Sequence, residues 1–161
     1  MVREIPLTQG KVALVDDEDY EWLSKYKWRA NKKSNGYYAT TLEKNNHKCI
    51  KMHRLILNPK NTEEVDHINR DGLDNRRCNI RVVTHAQNMM NCIKHPGTSS
   101  KYKGVTWRKD NNLWRVLITI NKKTISLGQF KNEIDAARTY DEAAKNLFGE
   151  YARVNLYDSS P

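Results

Sequence analysis

Residues 65–88 read VDHINRDGLDNRRCNIRVVTHAQN, and this stretch decides the fold of the region around it. Two short runs rich in β-branched residues, 65–68 and 80–83, stand on either side of a polar loop and predict two strands. Thr84, with Gln87 three residues later, matches a capping box, so a helix is predicted to begin at Thr84. The predicted order is therefore strand, loop, strand, helix.

Asp66, His67 and Asn88 carry the chemistry of this stretch. The predicted order of elements brings Asp66 and His67, at the end of the first strand, near Asn88 on the first turns of the helix. Carboxylate and amide oxygens suit Mg²⁺ or Mn²⁺. An imidazole with a pKa near ~6.5 can take a proton from attacking water at neutral pH. The stretch thus predicts a metal-dependent hydrolytic site.

Residues 52–91 resemble the HNH, or ββα-metal, nuclease motif of phage and intron-associated homing endonucleases. The resemblance implies that Asp66 binds the metal and that His67 is the general base. It also implies that Asn79 steadies the loop and the base, while Asn88 completes the metal site. The separations from His67 to Asn79 and to Asn88 fit this pattern.

The resemblance implies an enzyme: a site-directed DNA endonuclease of the homing kind, from a phage or mobile element. It would hydrolyse one phosphodiester bond with one divalent ion and leave a 3′-hydroxyl and a 5′-phosphate. A monomer, which is favoured, would nick DNA, whereas a symmetric dimer could cut both strands. Two alternatives stay open: a DNA-binding regulator with an inactive HNH core, and a dimeric restriction-type nuclease.

Four further residues near this motif have two possible roles each. His53, in the His-Arg-Leu segment that precedes the motif in these enzymes, could hold the fold or approach a phosphate. Arg76, Arg77 and Arg81 could be solvated loop charges. Beside a site that cleaves phosphodiesters, they are predicted to clamp the DNA backbone.

Composition points to the same partner. The chain has 161 residues, a formal net charge of +9 and a pI near 9.5, which favours a polyanion such as double-stranded DNA over a membrane. Cys49, Cys78 and Cys92 form no Cys-x-x-Cys pair, so neither zinc nor a disulfide framework is expected. With no secretory signal and no small-molecule cofactor motif, we expect the cytoplasm of a bacterial or phage-infected cell.

The first fifty residues predict a small antiparallel sheet around one short helix. Acidic residues at 16–19 suit the N-terminus of a helix over 20–24, where the helix dipole is positive. The other predicted pieces are strands at 11–15, 28–30, 37–41 and 47–52, with turns at Asn35-Gly36 and Asn45-Asn46.

The last sixty residues predict a second module, a three-stranded antiparallel sheet packed on one helix. The predicted domains are 1–95 and 101–161, with a linker at 96–100. Alternation places Val116 and Ile118 on the core face of the middle strand. The helix is predicted to begin after Asn132 and to end at Gly149. The overall fold class is therefore α+β.

This module resembles the plant APETALA and ethylene-response-factor DNA-binding domain, which reads the major groove with its sheet. The resemblance rests on residues 102–105, 127–130 and 136–144. Thr119, like several neighbours, replaces a residue that usually contacts DNA in plant members, which leaves base preference open. The DNA-contacting residues predicted for the module are Lys103, Arg108, Arg115, Thr119, Lys122 and Lys123.

Overall fold

A computed structural model describes residues 1–34, 36–43, 48–92 and 97–156. The chain divides into two compact units, Met1–His85 and Ala86–Pro161, and each is described by itself. The predicted turn residues Asn35, Asn45 and Asn46 lie outside the described residues, as does Pro96 at the start of the predicted linker. The domain bounds predicted from sequence therefore stay a prediction.

The fold is α+β, with small antiparallel sheets and helices. Neighbouring strands pair as β1–β2, β3–β4–β5, β6–β7 and β8–β9–β10. No helix among the described residues is both long and apolar enough to cross a membrane. The strands are β1 (Val2–Pro6), β2 (Val12–Asp16), β3 (Arg29–Lys33), β4 (Gly36–Leu42), β5 (Cys49–Lys51), β6 (Glu64–His67), β7 (Ile80–Val83), β8 (Val105–Arg108), β9 (Leu113–Ile120) and β10 (Lys123–Phe130), and the helices are α1 (Asp17–Leu23), α2 (Met52–Leu57), α3 (His85–Asn91) and α4 (Glu133–Phe148).

The first unit closes around one apolar cluster. The hairpin of β1 and β2 contributes Ile5 and Val15, while β4 contributes Ala39 from the adjacent sheet. Helix α1 carries three acidic residues in its first turn, which is the favourable end of the helix dipole, and this helix was predicted. The strand β1 was not predicted, because Arg3 and Glu4 interrupt its apolar positions.

The sequence did not predict the helix that follows β5. The strand predicted over 47–52 ends at Lys51, and Met52 begins helix α2. Met52 and Ile56 are buried on one face at helical spacing, so packing against the core favours the helix. A short apolar run in the sequence does not by itself distinguish a helix from a strand. Asn58 ends the helix in the left-handed conformation, with φ of 43°.

The predicted hairpin and helix of residues 64–91 are confirmed as elements. Strands β6 and β7 pair antiparallel, and α3 starts at His85, one residue after the predicted Thr84. The loop between the strands is attached to β2 by two backbone hydrogen bonds. The Leu14 backbone N–H donates to the Leu73 carbonyl and the Asn75 backbone N–H donates to the Leu14 carbonyl, each at a distance of 2.8 Å. This attachment positions Asn75 beside the end of β6.

The second unit packs α4 against the sheet of β8, β9 and β10. Val116 and Ile118 are buried as predicted, and small alanines on α4 allow the helix to lie close to them. The Asn132 side chain accepts a hydrogen bond from the backbone N–H of Ile134, and Gly149 caps the helix C-terminus with φ of 54°. The predicted helix and its two ends are therefore confirmed.

Candidate active site and nucleic-acid surface

His67 lies at the end of β6 and is held by Asn75. Both side chains are buried, and His67 Nε2 is 3.4 Å from Asn75 Oδ1. The Asn75 amide nitrogen donates to the Leu73 carbonyl at 3.0 Å, so Oδ1 is the atom left to face the imidazole. Asn75 therefore accepts a hydrogen from Nε2, which places the basic lone pair of a neutral His67 on Nδ1.

Burial keeps His67 in its neutral form. Desolvation lowers the pKa of His67 below the usual value, while the hydrogen bond to Asn75 and the nearby Asp66 carboxylate act in the opposite direction. A neutral imidazole is the form that can accept a proton from water at neutral pH. The environment of His67 is therefore compatible with a general base.

Asp66, next to His67, is a buried carboxylate paired with Arg81. The Arg81 Nε and Nη2 atoms lie 3.2 and 3.0 Å from the carboxylate, and both bonds end on Asp66 Oδ2. The guanidinium offsets the cost of burying the carboxylate. The anionic oxygen beside the imidazole is the kind of ligand that Mg²⁺ or Mn²⁺ takes.

Asn79 braces the loop between β6 and β7. Its Oδ1 accepts from the Asn69 backbone N–H at 3.0 Å, and its Nδ2 donates to the Asp74 carbonyl at 2.7 Å and to Asn69 Oδ1 at 3.0 Å. Its backbone carbonyl accepts from Ile68, the residue after His67, at 2.8 Å. These contacts correspond to a loop-steadying role, and the imidazole itself is contacted by Asn75.

Asn88 lies on α3 and is half-buried within the second compact unit. Among the described residues, no group of three or more His, Cys, Asp and Glu side chains is arranged to hold a metal ion. Asp66 belongs to the first compact unit and Asn88 to the second.

Two aromatic rings pack beside the candidate base. The His53 and His67 rings are 4.8 Å apart, and Tyr38 packs edge-on against both at 6.0 and 5.9 Å. His53 is 4% exposed, and its Nδ1 atom has no hydrogen-bond partner among the described residues. Burial, with help from His67 and Lys51, lowers the pKa of His53 to about 3. Of its two possible roles, the structure favours holding the fold.

Because His53 is buried in its neutral form, the free energy of unfolding is expected to depend on pH in the acid range. Unfolding raises its pKa from about 3 to the ordinary value of 6.5, so the unfolded state binds more protons in between. Stability is therefore present above pH 6.5 and is lost as pH falls toward 3, by up to about 5 kcal/mol. We expect His53→Phe to reduce this loss in acid denaturation followed by circular dichroism. An equal pH dependence in wild type and variant would contradict it, and His85→Asn, at an exposed histidine, serves as control.

The three arginines predicted as DNA clamps all have internal partners. Arg76 binds Asp74 through two bonds of 2.7 Å, and Arg77 binds Asp19 through two bonds of 2.8 Å. Arg81 binds Asp66, as described above. Sequence inspection had no means of identifying the Asp19 pair, because its members are far apart along the chain.

The outer face of the second unit's sheet carries part of the predicted DNA-contacting set. Arg115 lies opposite Thr106 across β8 and β9, and the hydroxyls of Thr119 and Thr124 are 3.0 Å apart across β9 and β10. Lys122 is at the tip of the hairpin, with φ of 63°. The members of the outer face are Thr106, Arg115, Leu117, Thr119, Thr124 and Ser126, and the exposed Lys122 and Lys123 stand at its end.

The two remaining predicted contacts have partners within the unit. Lys103 donates to the carbonyls of Met89 and Met90 at 3.1 and 2.6 Å, and burial lowers its pKa to about 8. Arg108 binds Asp110 through two bonds of 2.9 and 2.7 Å at the protein surface. Arg115, Lys122 and Lys123 are therefore the cations of the set that are most available to a ligand.

Sequence reasoning missed Asn75 and Tyr38 as parts of the site. Asn75 stands inside the quoted motif, but an asparagine after an aspartate in a polar loop is typical of any turn. Tyr38 lies in a strand far from the motif along the chain and reaches His67 only in the folded unit. A local pattern identifies neither of them.

Comparison with known proteins finds a family match for the segment around His67 and another for the sheet and helix of the second unit. The family model for HNH endonucleases matches residues 58–90, and the model for the AP2 domain matches residues 100–150. An uncharacterized HNH endonuclease of Acanthamoeba polyphaga mimivirus is 33% identical over 157 residues, which covers 93% of this chain and 78% of the relative. No solved structure matches the chain. On these grounds the chain belongs to the HNH endonuclease family and carries an AP2-like domain after its HNH segment.

Proposed function

We propose that this protein is a site-directed DNA endonuclease of the homing kind, which hydrolyses a phosphodiester bond and leaves a 3′-hydroxyl and a 5′-phosphate. The observation that carries the proposal is the buried His67 imidazole, neutral and oriented by Asn75, directly beside the Asp66 carboxylate. Membership of the HNH family supports the same reaction.

His67 is the general base of this proposal. With Asn75 on Nε2, the imidazole presents Nδ1 to the attacking water and takes its proton as the new P–O bond forms. Asn75 holds the ring orientation, and Asn79 keeps the loop that carries Asn75 in place. The adjacent Asp66 carboxylate then stabilises the imidazolium that results.

Asp66 and Asn88 are the proposed metal ligands in a ββα-metal arrangement of β6, β7 and α3. The buried carboxylate of Asp66 supplies an anionic oxygen and Asn88 an amide oxygen, a donor set that fits Mg²⁺ or Mn²⁺. A bound ion would offset the charge that develops on the scissile phosphate and the departing 3′ oxygen. Arg81 is bound to Asp66 and would need to leave or share that partner to contact the phosphate.

The AP2-like domain is proposed to direct cleavage by docking its outer face in the major groove. Antiparallel strands fit the width of that groove, and α4 covers the opposite face of the sheet. Arg115 on the face and Lys122 and Lys123 at its end supply attraction for phosphates. Thr119 contributes a hydroxyl, while Lys103, Arg108, Arg76 and Arg77 would need to leave or share their present partners.

The direct test is incubation of supercoiled plasmid with the full chain and Mg²⁺, Mn²⁺ or EDTA, with nicked and linear products resolved on a gel. We expect nicked product with either ion and none in EDTA. Treatment of the nicked DNA with ligase, before and after phosphatase, shows whether the nick carries a 3′-hydroxyl and a 5′-phosphate. DNA that stays supercoiled at every ion concentration, although the protein binds it, would favour the alternative of an inactive regulator. Linear product from a dimer would favour a restriction-type nuclease.

Arg115 offers a prediction about targeting. We expect Arg115→Ala to weaken DNA binding by about ten- to a hundredfold, while cleavage of saturating DNA continues at the normal rate. Binding by fluorescence anisotropy and cleavage at saturation separate the two quantities. Arg138→Ala is the matched control, because Arg138 is an exposed arginine on α4 rather than on the outer face. Equal losses in both variants would remove Arg115 from the interface.

A further inference from the structure

The sheet of β3, β4 and β5 in the first unit has one face of unusual composition. Its three strands contain no acidic residue. Alternation directs Ala39 and its neighbours toward the core, and the cross-strand pairs Asn31 with Tyr38 and Thr40 with Lys51 lie on the other side. This second side, here called the groove face, consists of Arg29, Asn31, Lys33, Tyr38, Thr40 and Lys51.

The cations of the groove face are not neutralised by any carboxylate among the described residues. Arg29, Lys33 and Lys51 are exposed, and none of them makes an ion pair with a residue in the described part of the chain. Lys51 lies over the Tyr38 ring, 5.8 Å from its centroid. These three cations differ from Arg76, Arg77 and Arg81, because each of those arginines is bound to a carboxylate. Uncompensated positive charge on a polar face is suited to an anionic ligand.

The groove face also adjoins the candidate base. A shallow groove on it is lined by Asn31, Lys33, Tyr38, Thr40 and Lys51, among others. Tyr38 forms part of this groove and packs against the His67 ring at 5.9 Å. A strand lying in the groove would therefore end next to the imidazole.

We propose that the groove face binds the sugar-phosphate backbone of DNA flanking the scissile phosphate and leads that strand to His67. The inference rests on the proposed function, and it assigns a role to part of residues 1–57, which lie outside both family matches. Ammonium groups of Lys33 and Lys51 contact phosphates, and the Asn31 amide donates to backbone oxygens. Contacts of this kind carry no base preference.

The test compares two full-length double variants that lose the same charge. Lys33→Gln with Lys51→Gln alters the groove face, and Lys25→Gln with Lys60→Gln removes two exposed lysines that do not line the groove. Binding of a random-sequence DNA duplex is measured in EDTA over a range of salt concentrations. We expect the slope of log K against log salt to become shallower by about 2 in the first variant and by much less in the second.

Equal slope changes in the two variants would overturn the groove proposal, and so would an unchanged slope in the first. Plasmid cleavage with Mg²⁺ is measured in parallel to keep the two proposals apart. A wild type that binds the duplex with the full slope but never cuts would refute the nuclease proposal and leave the groove face standing. Circular dichroism of both variants verifies that folding is retained.

Discussion

Replacement of His67 by alanine is expected to reduce DNA cleavage by about 10²- to 10⁴-fold, the contribution typical of a general base. DNA binding should change by less than about threefold, because the buried neutral imidazole contributes no charge to phosphate attraction. Single-turnover cleavage and anisotropy titrations measure the two effects separately.

Because His67 packs against Tyr38 and His53, His67→Ala leaves a cavity in the first unit. The variant His67→Gln retains more of the volume and keeps the result interpretable if the alanine variant folds poorly. His85→Ala is the matched control: His85 is an exposed histidine paired with Glu64, and its loss should leave cleavage unchanged. Normal cleavage by a folded His67→Gln protein would show that another group activates the water.

Gly104→Ala is expected to unfold the second unit. Gly104 has φ of +78°, and a Cβ built there would lie 2.0 Å from Cδ2 of Tyr140 and 2.7 Å from the Leu117 carbonyl oxygen. Tyr140 is buried in the core under α4, and Leu117 is a ladder residue, so neither neighbour can move away. We expect a loss of more than about 3 kcal/mol from the combined overlap and backbone strain. Denaturant unfolding, followed by tryptophan fluorescence, measures it.

Gly149→Ala separates the two causes of this loss. Gly149 has φ of +54°, but nothing lies within 4 Å of the position that a Cβ would take there. Alanine at this position should cost about 1–3 kcal/mol, because residues with a Cβ rarely combine φ of 54° with ψ of −128°. Similar losses at the two glycines would mean that the close approach of Tyr140 is unimportant. Because of the overlap, Gly104→Ala should also abolish binding through the outer face, whereas Gly149→Ala should retain it.

Local patterns in the sequence predicted most of the strands and helices of the two units. The alternation in β9 identified its core face, and the cap at Asn132 and the glycine at 149 identified both ends of α4. These signals succeed because they depend on backbone geometry and on neighbours a few residues away. Helix α2 was missed because six residues are too few to reveal a period, and the burial of Met52 against the rest of the unit decides the matter.

Some residues of the candidate site were predicted from the sequence, and others were found only in the structure. Motif spacing in the sequence selected Asp66, His67 and Asn79, and the structure adds what each of them contacts. Asn75 became a partner of His67 only because the loop is tied to β2 through Leu14. Tyr38 approaches His67 from a different sheet.

The sequence by itself determined the two modules, their α+β class, the basic character and the residue types capable of metal-dependent hydrolysis. The tertiary structure alone decided which charges are used internally and which remain for a ligand. Arg77 is bound by Asp19, whereas Lys33 and Lys51 have no ion-pair partner among the described residues. The reason is that the availability of a charge to a ligand depends on which groups folding brings near it. Residues that are neighbours in the sequence do not reveal which groups these are.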